Sequence, residues 1–176
     1  MELTDLLLSG VWGAIAAGGF AILFNVPVRT LLFAALGGAI GLICRNIFHY
    51  YIGFHLEFSS FLGALCAATW GAFWSHKVHT PGHVISIPSV IPMVPGVFSY
   101  KGMIGLINFN SSDLPQDEHL ATTVSFLLKA IFILAGLSLG TAIPNLIDRL
   151  LMQKGKQERV TQSLQKKNAK RKIEFD

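Results

Sequence analysis

Charge is what this sequence has least of. Asp, Glu, Lys and Arg make up 14% of its 176 residues, where soluble domains carry about 25%, while apolar side chains make up 52%. With a mean hydropathy of +0.53, the composition argues against a water-soluble fold. No Asp or Glu falls within the apolar runs, so paired carboxylates for general acid and base work are missing there. There is no phosphate-binding loop either, which with the missing carboxylate pairs leaves an intramembrane enzyme without support and gives no reason to expect a cofactor. Cysteine is nearly absent too. Cys44 and Cys66 each lie inside an apolar run, are not spaced as a metal or redox pair, and read as packing residues.

The charge that is present is segregated. Nine of the fourteen Lys and Arg residues fall between Arg149 and Lys172. This divides the chain into a transmembrane domain, 1–150, and a basic cytoplasmic tail, 151–176. The tail reads as disordered or loosely helical, with anionic lipid headgroups as its partner. It lacks the aromatic residues of a stacking platform, so nucleic acid is not an expected partner.

A bilayer core about 30 Å thick needs roughly 20 apolar residues in a helix that rises about 1.5 Å per residue. Leu6 to Phe24 offers nineteen residues without a charge, and the acidic Glu2 and Asp5 before it are unlike a basic signal-peptide leader. Leu31 to Cys44 is too short alone and is extended through Arg45 to Ile52, with Tyr50 and Tyr51 at the interface. Phe58 to Trp74 ends in an aromatic and basic anchor, Trp74-Ser75-His76-Lys77. Val84 to Tyr100 holds Pro88, Pro92, Pro95 and Gly96, and Leu120 to Ile143 is interrupted only by Lys129 before Pro144. The fold class expected is therefore an all-α integral membrane protein of about five transmembrane segments, the fourth broken by prolines. Small residues four apart (Gly13 and Ala17, Gly37 and Gly41, Gly63 with Ala67 and Gly71, Gly136 and Gly140) favour close helix contacts. Retention of Lys and Arg on the cytoplasmic side places the carboxyl terminus inside, the amino terminus outside, and the 101–119 loop with Asp113, Asp117 and Glu118 outside.

The broken fourth segment is the main functional signal. Each proline removes an amide and exposes the carbonyl four residues back, here those of Val84, Pro88 and Ile91. Lipid does not tolerate such groups, but a cavity does, and transporters place their sites at interrupted helices. Arg45 can hold a carboxylate through a two-pronged hydrogen bond or reach headgroups instead. Lys129 has the same choice between site cation and snorkelling, and Arg29 reads as a topology anchor. His76, His79 and His83 invite a metal reading that Pro81 and Gly82 spoil by breaking the helix.

These segments also resemble a known family. The stretch Gly19 to Leu31, the Arg45 position, and Val90-Ile91-Pro92-Met93-Val94-Pro95-Gly96 followed by Tyr100 are similar to the small membrane subunit of the split threonine/serine exporter family, over roughly residues 1 to 150. The resemblance implies an exporter subunit in the bacterial inner membrane that acts with a larger membrane partner. It implies small carboxylate substrates, succinate in the closest group and threonine or serine in the wider one. In that reading Pro92, Pro95, Gly96, Ser99 and Tyr100 shape the substrate site and Arg45 neutralises the substrate's charge. With no acidic residue in the spans, a coupling carboxylate is expected from the partner. A scaffold subunit that carries nothing is the alternative.

Overall fold

The computed structural model describes the backbone of residues 2–111 and 116–174 and the side chains of residues 2–108 and 120–150. Within them the chain is helical and has no strand: α1 (Leu3–Leu23), α2 (Val28–Asn46) with a π-helical turn (Ile47–Tyr51), α3 (Leu56–Val78), α4 (Gly82–Val90) with a 3-10 turn (Ile91–Met93), α5 (Gly96–Ser111) and α6 (Gln116–Glu174). Four helical stretches are long and apolar enough to cross a membrane: Leu3–Leu23, Val28–Tyr51, Leu56–Val78 and Leu120–Leu150. The pair Gly82–Met93 and Gly96–Asn108, bent by 55°, supplies the fifth when counted as one span. The all-α membrane architecture read from the sequence is the one observed.

Small residues bring the helices together. The buried face of α1 is Leu6, Gly10, Gly13, Ala17 and Ala21, and that of α3 is Ser59, Ser60, Gly63, Ala64, Ala67, Ala68, Gly71 and Ser75. A Cβ added to Gly13 would stand 2.9 Å from the Gly38 carbonyl, and one on Gly63 2.7 Å from the Gly41 carbonyl. Backbones this close gain dispersion contacts that lipid cannot match, and this drives helix association where water is absent. α6 joins α3 in the same way, with Gly136 against the Glu57 carbonyl and Gly140 against that of Phe61. The interface anchors also form: Lys77 Nζ stands 4.5 Å from the Trp74 ring centre, and Tyr50 and Tyr51 are exposed.

Several expectations change. Pro88 lies inside α4 without ending it; the chain breaks at Val94 and Pro95. The expected 101–119 loop is helix through Ser111 and again from Gln116. The apolar pattern of Met103, Ile104, Leu106 and Ile107 explains the first part. α6 does not finish at Pro144 but runs through it to Glu174, so the tail, expected to be disordered or loosely helical, is helical in backbone. One proline removes one amide, and a helix with neighbours on either side survives that. Residues 112–115 and the side chains of 109–119 and 151–176 lie outside the described residues. So do the acidic-loop expectation for Asp113, Asp117 and Glu118 and the lipid contact of the tail.

Candidate functional site

α4 starts where Pro81 fixes the backbone for a first helical turn and runs antiparallel to α3. Its neighbours report the descent: Gly71 meets Ser86, Gly37 meets Ser89, and Gly63 meets Met93 Sδ. The buried face of α4 thus carries two hydroxyls inward. Ser86 Oγ donates to the Gly82 carbonyl at 3.1 Å, and Ser89 Oγ lies 2.7 Å from the Ile85 carbonyl and 2.9 Å from that of Ala34 on α2. At the break Val94 turns extended (ψ 133°) and α5 departs. Of the three carbonyls expected to be freed, that of Ile91 accepts from Val94 N–H at 3.0 Å, and Ser99 Oγ donates to the Pro95 carbonyl at 3.0 Å.

Arg45 sits in the last turn of α2, just before the π-helical turn, and is half-buried. Its Cβ would stand 3.0 Å from a Cβ on Gly63, the same glycine that Met93 touches, so Arg45 and the break share one level of the bundle. Its Nε is buried without a hydrogen-bond partner. A buried, unpaired guanidinium N–H is a donor that awaits an acceptor. Pro95 is buried and Pro92 half-buried beside this level, whereas Gly96, Ser99 and Tyr100 are exposed, Tyr100 to 61%. The six expected site residues therefore do not share one enclosed space; Arg45 and the two prolines stand inward and the α5 residues outward.

Polar cavities lie at both ends of this path. One, of about 460 Å³, is lined by Gly82 and His83 from the start of α4, His76 from α3, and Asn145, Asp148 and Arg149 from α6. The other, of about 390 Å³, is lined by His49, His55, Glu57, Lys129 and Phe98, the last three residues beyond Pro95. Lys129, ambiguous in sequence, is exposed at that second cavity. Arg29 is exposed in the first turn of α2, and His79 closes α3 in the left-handed conformation (φ 55°), which takes the three histidines out of helical register.

Two features were missed by sequence reading. Asp148, which the sequence reading did not single out, is buried to 8% exposure and paired with His76. The signal was available in Asn145 and Asp148, three apart on a helix that had wrongly been ended at Pro144. Cys44 and Cys66 were read as packing residues not spaced as a pair, and the fold sets them beside each other on α2 and α3.

No solved structure matches the chain. Residues 9–147 match a family described as Threonine/Serine exporter, ThrE.

Proposed function

Because the chain belongs to the threonine/serine exporter family, we propose that it is an inner-membrane subunit that moves small carboxylate-bearing metabolites outward along its broken α4–α5 segment. One observation carries this reading: the segment runs from a polar cavity at one end of the bundle to another at the opposite end, and Arg45, its Nε unpaired, stands at the break between them. A guanidinium there holds a carboxylate by two parallel hydrogen bonds, a contact common to threonine, serine and succinate. Interrupted helices whose backbone lines a cavity are where transporters place such sites.

A larger membrane partner is part of the proposal. One broken segment is half of what inverted-repeat transporters assemble, and α5 packs almost wholly on α6, so the hairpin they form has room for another membrane chain. The basic residues near the carboxyl terminus support a cytoplasmic position for it. Reporter fusions after residue 176 should then report cytoplasm, and fusions within 110–118 the exterior. A cytoplasmic signal from 110–118 would make the five-span topology wrong, and an exterior signal from fusions within 79–83 would make the bent pair a re-entrant loop and remove the transmembrane path.

The functional test is uptake of labelled threonine, serine and succinate by inverted vesicles that contain this chain, its partner, or both. Transport is expected only with both. Full transport by the partner alone would make this chain a scaffold.

A further inference from the structure

α3 and α6 run in the same direction and are in backbone contact at Gly140, where an added Cβ would stand 2.6 Å from the Phe61 carbonyl. Toward their carboxyl-terminal halves they part, and a groove of about 510 Å³ opens between them. Pro144 is buried and Ala72 half-buried in this groove, whereas Thr69, Phe73, Ile143 and Ile147 are exposed along it. It is an apolar channel on the outer surface of the spans.

The groove leads somewhere polar. His76 and Asp148 line it and also line the cavity of about 460 Å³ where α3, α4 and α6 meet, so the two spaces adjoin. Among the described residues that line the two, Asp148 is the one carboxylate, and its Oδ1 is already taken by His76 Nε2 at 2.5 Å. The other ionisable groups of the cavity offer donors: the Arg149 guanidinium, and at least one ring N–H each from His79 and His83. Lys77 adds a second fixed cation, with Nζ 5.3 Å from the ring centre of Phe73 in the groove. Two fixed cations against one paired carboxylate leave this end of the bundle positive.

We propose that groove and cavity together bind one anionic diacyl phospholipid, with an acyl chain along α3 and α6 and the phosphodiester beside Arg149, Lys77 and the histidines. A water-soluble anion would use the cavity and leave the groove empty; a neutral lipid would fill the groove and leave the cations unmet. Lipid tails already surround the spans, so the groove supplies fit and the headgroup supplies preference. Basic pockets between spans on the cytoplasmic side are where anionic headgroups settle, and the proposed topology puts this end there. The inference needs the chain to span a membrane but does not rest on the exporter reading.

The test is native mass spectrometry of the purified full chain in detergent, titrated with dioleoyl phosphatidylglycerol or dioleoyl phosphatidylcholine, with glycerol 3-phosphate as competitor. One phosphatidylglycerol should be retained about 5-fold or more tightly than phosphatidylcholine, and glycerol 3-phosphate should not displace it. Arg149→Gln should weaken phosphatidylglycerol about 5-fold, the worth of one cation near a membrane surface. Thr69→Phe fills the groove and should weaken both lipids. The Thr69 hydroxyl donates only to the Leu65 carbonyl of its own helix, at 2.7 Å, so this variant should unfold as the wild type does without lipid. Equal retention of the two lipids, displacement by glycerol 3-phosphate, or wild-type binding in Arg149→Gln would overturn the site. So would wild-type binding in Thr69→Phe, the result expected if the basic tail alone held the lipid.

Discussion

α1 to α4 and the α5–α6 hairpin answer the bilayer differently. In the first region the contacts run through Gly13, Gly38, Gly41, Gly63 and Gly71, so backbone meets backbone and little space is left. In the second, among the described residues, Gly102 and Gly105 of α5 meet side chains of α6, those of Leu127 and Thr123, and α6 alone is tied to α3 by glycines, Gly136 and Gly140, while Val97, Tyr100, Met103 and Ile107 on α5 and Leu128, Ile131 and Phe132 on α6 stay exposed. The Leu120–Leu150 stretch is also long: 31 residues reach about 46 Å at 1.5 Å each, beyond a core of about 30 Å. Lipid tails are as apolar as leucine, so exposed leucines do not pull helices together, and close packing of small residues does. The α1–α4 region is therefore able to hold its own shape and position a site. The hairpin offers a face to lipid or to a second membrane chain.

The largest effect should come from filling the tight region. Gly63→Val places its first carbon 2.7 Å from the Gly41 carbonyl and 3.1 Å from Met93 Sδ. Backbone cannot retreat, so a loss of about 3 kcal/mol is expected, read by thermal unfolding in detergent. Gly102→Val meets only the Leu127 side chain, which can swing away, and should lose about 1 kcal/mol. Equal losses would erase the contrast between the two regions.

Next in size are the changes at the break, which should act on flux and not on abundance. Replacing Pro92, Pro95 and Gly96 together by alanine lets a regular helix form, and efflux at matched membrane level should fall about 10-fold or more, a barrier change of about 1.4 kcal/mol. Arg45→Lys should fall similarly, because an ammonium does not reproduce the planar fork. A lysine variant that exports as well as wild type would return Arg45 to an interface role.

Smaller still is Ser89→Ala, which removes the hydroxyl between α4 and the Ala34 carbonyl; about 0.6 kcal/mol is expected, the average for such bonds in membranes. Gly96→Ala alone meets nothing within 4 Å and should leave unfolding unchanged. A measurable loss there would mean that a neighbour covers this surface in the assembled protein.

The sequence by itself determined where the spans lie, which of them is broken, and which glycines lie between helices. These depend on runs of apolar residues, on proline's missing amide and on a spacing of four, all local properties of the chain. Local pattern misjudged continuity at Pro88 and Pro144, where packing on neighbours carried the helix past a missing hydrogen bond. The tertiary structure alone decided which distant groups meet. It set His76 beside Asp148, Asn145 against Ser86 and behind Gly82, Arg45 beside Gly63 with Met93, and Cys44 against Cys66. Those partners are far apart in the chain, and their meeting depends on helix order and rotation, which small-residue contacts fix only once all the helices are in place.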